Sequence, residues 1–202
     1  MNDEIDVLPK LLEEVKNEFE LAYGESEIIR NAFAKLKAKK ATYRTANDFA
    51  IEIGGILSKA LGASISADKL PDGKMYYNIA QRLLTDVLGR NYELVSGYAS
   101  DVQKNLNDKA KIGLKVQVPE LNKDRIAGIV NRFSSEDNFE DVSWLLDEPI
   151  VNFTQSIIDD SIRENAEFHH KAGLQPEIVR TSYFHCCEWC QEFEGNYKYP
   201  RV

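Results

Sequence analysis

Four side chains near the end of the chain have the types and spacing to hold a metal: His185, Cys186, Cys187 and Cys190. A Cys-x-x-Cys spacing brings two thiolates to one tetrahedral zinc. Cys187 and Cys190 are the stronger pair, and Cys186 and His185 are the weaker candidates. Two thiolates are half of a structural site, so zinc stands beside a second reading. In that reading the cysteines are small apolar groups packed against Phe184, Trp189 and Phe193. Adjacent Cys186 and Cys187 do not form a disulfide framework, which spreads an even count along a secreted chain. A reducing compartment is the simpler setting. A thioredoxin-like redox pair would need a βαβ context that does not precede these residues.

Three other groups could carry chemistry. The run from Arg30 to Arg44 holds Lys35, Lys37, Lys39, Lys40 and Arg44, which could contact DNA phosphates or a partner. The acidic stretch at 13–20 could instead neutralise that run in an antiparallel helical hairpin, and this is the expectation. His169 and His170 close a long helical pattern, where a cation interacts well with the helix dipole. Asp160 and Glu164 share a helical face beside Asp159 and Arg163, which reads as a solvated acidic face. No phosphate-binding glycine loop, dinucleotide fingerprint or nucleophile elbow occurs, so nothing reaches an enzyme signature.

The elements that position these groups are helical. Apolar residues recur at helical spacing over 8–22 (Leu8, Leu11, Leu12, Val15, Phe19, Ala22). Pro9 suits the first turn and Gly24 a stop. A second helix over 26–40 has Ser26 as cap and Ile28, Ile29, Phe33 and Leu36 as the stripe to bury. A third spans 46–61, where Gly54-Gly55 either weakens it or permits close packing. A turn at Leu70-Pro71-Asp72-Gly73 precedes a long helix over 76–106 that Gly89 and Gly97 would kink. Leu114-Lys-Val-Gln-Val118 alternates and reads as a short strand or an extended crossover. Further helices are expected at 121–133, 136–146 and 149–171. After Pro176 a β-favouring run at 178–184, a turn at 194–196 and Tyr197–Tyr199 make a small β-containing knuckle. The fold class is therefore mainly α, a multi-helix body with a small β-containing cysteine knuckle. The expected segments are 1–62, 75–173 and 174–202.

Composition is that of an ordinary globular chain: 43% hydrophobic and 29% charged over 202 residues. A net charge of -8 disfavours the whole surface as a nucleic-acid binder. No apolar stretch approaches the roughly 18 residues that span a bilayer. The acidic N-terminus lacks the basic and apolar regions of a signal peptide.

From Glu148 onward the chain resembles the minor head proteins, also called head-morphogenesis proteins, of tailed phages and prophages of Gram-positive bacteria. The residues that carry the resemblance run in order. Val151-Asn152-Phe153 and Asp159-Asp160-Ser161-Ile162-Arg163 lie on one helix. An Ala172-Gly-Leu-Gln-Pro176 link follows, then Val179-Arg180, Cys187-Glu-Trp-Cys190 and Glu194-Gly195-Asn196-Tyr197. In that family a later Cys-Arg-Cys segment completes a four-ligand, zinc-like site. This sequence lacks it, so the resemblance implies a zinc site that is incomplete within this chain.

The resemblance implies a structural protein with no chemistry of its own. It would be a low-copy component inside the head near the portal, made in the host cytoplasm, and in some relatives ejected with the DNA. Implied partners are the portal and major capsid proteins, with phage DNA as a further contact. Trp189, Gly195 and Tyr197 would pack the knuckle. Two rival readings remain: a soluble zinc-knuckle regulatory module, and the delivery head of a toxin fusion whose effector domain is absent here.

Overall fold

The structure, a computed structural model, describes residues 6–181 and 188–200. It is mainly helical, with a single two-stranded sheet among the described residues. Helix α1 is Leu8–Glu25, with Pro9 in its first turn. It runs through Gly24 and ends at Ser26, whose extended backbone breaks the helix. The same serine starts α2, Glu27–Lys37: its hydroxyl oxygen accepts from the Ile29 N–H at 3.3 Å. That hydroxyl donates to Glu52 Oε1 at 2.6 Å, which ties the α1–α2 corner to the next helix. Helix α3, Tyr43–Ser64, opens with a reciprocal Thr42–Thr45 capping box.

Helix α4, Tyr77–Ala110, is one unbroken helix through Gly89 and Gly97, so the expected kinks do not form. Neither glycine faces a neighbour that would bend it. Helix α5, Lys123–Phe133, is capped by Asn122. Helix α6, Glu148–Lys171, is followed by Gly173 at φ 87°, a left-handed position suited to glycine.

Helix α3 is the centre of the body and packs against α1, α4 and α6. Its buried residues include Phe49, Ile53, Leu57 and Leu61. They join one hydrophobic cluster that reaches from Leu8 to Ile158. Gly54 sets the α3–α6 crossing. A Cβ there would lie 2.9 Å from Val151 Cα and 3.1 Å from Thr154 Cβ. Close packing is therefore the role of Gly54, whereas Gly55 meets nothing within 4 Å. Beside this crossing the Thr154 hydroxyl donates to the Ile150 carbonyl at 2.9 Å and accepts from Asn91 Nδ2 of α4.

Two sequence expectations need correction here. Within α2 only Ile29 and Ala32 are buried, while Ile28 is 48% and Phe33 43% exposed. The segment 136–146 forms two 3-10 turns, Phe139–Asp141 and Ser143–Leu146, instead of an α-helix. Of the two readings of Leu114–Val118, the extended crossover is the one that forms. Its place in a ladder is taken by a side chain: buried Asn165 of α6 accepts from the Gln117 N–H at 2.9 Å and donates to the Gln117 carbonyl at 2.7 Å.

The C-terminal part is a small hairpin. Strand β1, Glu177–Arg180, pairs antiparallel with β2, Gly195–Lys198, with Ile178 opposite Tyr197. The five-residue helix α7, Glu188–Glu192, lies between them in sequence. The hairpin is held to the end of α6 at Tyr199. Its ring meets that of His170 edge-on at 5.6 Å, while its N–H extends the hairpin pairing to the Pro176 carbonyl at 3.1 Å.

Candidate functional site

His185, Cys186 and Cys187 lie outside the described residues, as does the side chain of Cys190. The surroundings of that segment are described. The strands β1 and β2 bracket it, so the cysteines belong to the stretch joining the two strands. Trp189 is 67% exposed, and its ring lies 4.7 Å from that of Phe193. Gly195, at φ 153°, adopts a backbone that L side chains rarely enter. The Tyr197 hydroxyl donates to the Phe193 carbonyl at 3.0 Å, and the Arg180 guanidinium stands 5.0 Å from the Tyr197 ring. Trp189 and Tyr197 thus both meet the Phe193 region. Among the described residues no group of three His, Cys, Asp or Glu side chains could hold a metal ion.

The basic run lies at the end of α2 and the start of α3. Its position is fixed by hydrogen bonds from α4: the Tyr98 hydroxyl donates to the Ala32 carbonyl at 2.8 Å, and Asn105 Nδ2 to the Leu36 carbonyl at 3.3 Å. Beneath it the Phe49 ring stacks on Tyr98 at 4.4 Å, and Phe33 meets both edge-on. The helix ends with Lys39 at φ 55°, and the Lys40 N–H returns to the Lys35 carbonyl at 2.8 Å. That 6→1 bond is the closing bond of a Schellman turn.

Lys35, Lys37, Lys39, Lys40 and Arg44 are all exposed. They do not form one basic face. Lys37 and Lys39 line a groove of about 520 Å³ together with Lys104, Asp101, Asp108 and Phe33. Lys35 lines a second groove, of about 420 Å³, with Asp48, Glu52, Ile28 and Ile51. Each groove mixes both charges with apolar surface, a composition suited to a protein partner more than to a bare phosphate backbone. The expected neutralising hairpin with the 13–20 stretch is absent. Glu14 pairs with Lys69 at 2.7 Å, and Lys16 pairs with Glu20 within α1. The reason is geometric: α1 lays its apolar stripe on α3, which directs its charged residues elsewhere. The Glu14 carboxyl is held below its ordinary value, first by the hydrogen bond from Lys69.

The histidines divide. His170 is exposed in the last turn of α6 and contacts Tyr199. His169 is buried, its Nε2 has no hydrogen-bond partner among the described residues, and desolvation lowers its pKa. The expected cation at His169 is therefore corrected to a core imidazole that favours its neutral form. Its place on the buried stripe, four residues after Asn165, is the cause.

Asp160 pairs with Arg163 at 2.7 Å, and both line an open groove of about 1020 Å³ with Glu164, Glu120 and Asp124. Asp159 is exposed, with its pKa raised by partial desolvation and then by the Asp160 charge. This is the solvated acidic face expected from the sequence.

Sequence reasoning missed the polar side chains that hold backbone in place: buried Tyr98, Asn107 and Asn165, and half-buried Asn105. Their only signal was position on an apolar helical stripe. Compared with known proteins, the chain matches no family model, no curated protein and no solved structure. No described helix is long and apolar enough to cross a membrane.

Proposed function

We propose that this chain is a minor head, or head-morphogenesis, protein of a tailed phage or prophage, placed inside the head near the portal. One observation carries the reading: the ordered run from the Ala172–Pro176 link through Cys187-Glu-Trp-Cys190 to Gly195-Asn196-Tyr197. The physical setting of that run supports it. The link falls at the Gly173 turn after α6, and the described part of the run falls on a hairpin set apart from the helical core. A hairpin displayed in this way is free to meet other subunits or a further segment. The mixed grooves at Lys35 and at Lys37–Lys39 favour portal or capsid subunits over DNA as the contact of the basic run. In this role the protein does no chemistry and is retained by assembly.

The test is quantitative mass spectrometry of gradient-purified particles from the source strain. The expected result is this chain at low copy number relative to the major capsid protein. A peptide that continues past Val202 would also provide the segment that completes the cysteine site. Abundance in cells with absence from particles overturns the proposal.

A further inference from the structure

The stretch from Ile112 to Asn122 joins α4 to α5 without a turn or a bend. Three side chains and one backbone bond peg it to the helices. The Ile112 N–H donates to the Asn107 carbonyl at 2.8 Å, and Asn107 Nδ2 donates to the Leu114 carbonyl at 3.3 Å. Asn165, only 2% exposed, holds both backbone groups of Gln117. The Tyr92 hydroxyl donates to the Pro119 carbonyl. The segment is thus a strand in shape, and side chains take the place of a neighbouring strand.

Extended backbone alternates. The N–H and C=O of one residue point to one edge, and those of its neighbours point to the other. Gln117 turns its pair toward α6, so Val116 and Val118 turn theirs away. No hydrogen bond from a described residue reaches the N–H or C=O of either valine. Val118 is 51% exposed. An ordered extended edge with open donors and acceptors is a template for another strand. Lys109, Lys111 and Lys115 are exposed at its start, and the ion pairs among the described residues use none of them; at its other end Val118 lines the groove that carries Glu120, Asp124, Asp160 and Glu164, so only the lysine end attracts carboxylates.

We propose that the open edge at Val116 and Val118, which begins beyond the Leu114 carbonyl already taken by Asn107, is a β-addition site for an extended segment of a partner protein that carries carboxylates at its Lys111–Lys115 end. The partner strand bonds the N–H and C=O of Val116 and Val118, and its carboxylates meet Lys111 and Lys115. Backbone pairing supplies the affinity, and charge supplies the direction. Pegging by Asn107, Asn165 and Tyr92 removes much of the ordering cost before the partner arrives. This inference is independent of the phage assignment.

The experiment uses the isotopically labelled full chain and a synthetic heptapeptide, acetyl-Glu-Glu-Val-Thr-Val-Thr-Glu-amide, with amide exchange read by NMR. The expected result is slowing of at least about tenfold at the Val116 and Val118 amides. Gln117, already bonded to Asn165, should change little. A peptide N-methylated along its pairing edge, and one with lysine in place of glutamate, should give no slowing. V118P, which removes one donor at an exposed position, should weaken binding while the helical circular dichroism is unchanged. The proposal is overturned by no slowing at millimolar peptide, or by V118P binding as well as the parent. It is also overturned if the valine amides are already slow in the free chain, which would mean that the chain covers this edge itself. Slowing that follows the concentration of the chain alone would identify a second copy as the occupant and overturn the assignment to a partner.

Discussion

Adjacent glycines in α3 should respond to the same substitution with opposite sign. At Gly54 an added Cβ would lie 2.9 Å from Val151 Cα, 3.1 Å from Thr154 Cβ and 3.2 Å from Thr154 Oγ1. The nearest atom is backbone, so relief requires α6 to move away from α3. That crossing lies inside the main hydrophobic cluster, and Thr154 also accepts the Asn91 hydrogen bond. Overpacking of this kind costs about 1–3 kcal/mol, and a backbone obstacle places it near the upper end. Alanine regains about 1 kcal/mol of helix propensity over glycine. Gly54→Ala should therefore destabilise by about 2 kcal/mol. Gly55 meets nothing within 4 Å, so Gly55→Ala should keep the propensity gain and stabilise by up to about 1 kcal/mol. The two variants then differ by about 3 kcal/mol, on the order of 10 °C in midpoint for a chain of this size. The assay is thermal and urea unfolding of the full chain followed by far-ultraviolet circular dichroism. A Gly54→Ala variant as stable as Gly55→Ala would refute the close α3–α6 approach and with it the central placement of α3.

Other outcomes follow from the buried polar groups and the knuckle. Asn165→Ala removes bonds to the Gln117 N–H, the Gln117 carbonyl and the Ser161 carbonyl. It should cost about 2–3 kcal/mol and speed exchange at the Gln117 amide; unchanged exchange would show that the crossover does not depend on this peg. Burial pushes the Tyr98 phenol from 10.0 up to about 12. The unfolded chain therefore loses its proton first, so this contribution is full below pH 10, falls as pH rises toward 12, and should be absent in Tyr98→Phe when unfolding is followed against pH. Chelation with EDTA should leave the unfolding midpoint of the helical body unchanged, because its core is apolar and lies outside the cysteine segment; a large loss of helical signal would favour a zinc-dependent module.

The helices were legible because their apolar residues repeat at 3.6, and several boundaries because single residues have single uses. Ser26 caps α2 and Gly173 takes the left-handed turn after α6, as their types require. The failure at 136–146 is instructive. Phe139, Val142 and Leu145 are all buried and three residues apart. That spacing fits one face of an α-helix over a short span, and it is also the period of a 3-10 helix. Periodicity alone could not separate the two. Exposure of Ile28 and Phe33 was equally hidden, because α2 packs through Ile29 and Ala32 and leaves the flanks of its stripe open.

The candidate sites were legible as charge and not as surface. Lys35 through Arg44 read as one basic run, yet the character of that run is decided by acids that the fold brings in from α3 and α4. Asp48 and Glu52 come from α3, and Asp101 and Asp108 from α4. A one-dimensional count of charge cannot place them opposite the lysines. The same limit explains the crossover. Alternation in Leu114–Val118 announced extended backbone, but its partner is an asparagine amide from a helix and not another strand. A side chain can satisfy one residue of a strand and no more, which leaves the neighbouring valines open on the far edge. The polar residues on the apolar stripes of α4 and α6 therefore link the two halves of the reading. They hold the fold together, and because Asn165 holds Gln117 from one side, the backbone of Val116 and Val118 is left open on the other.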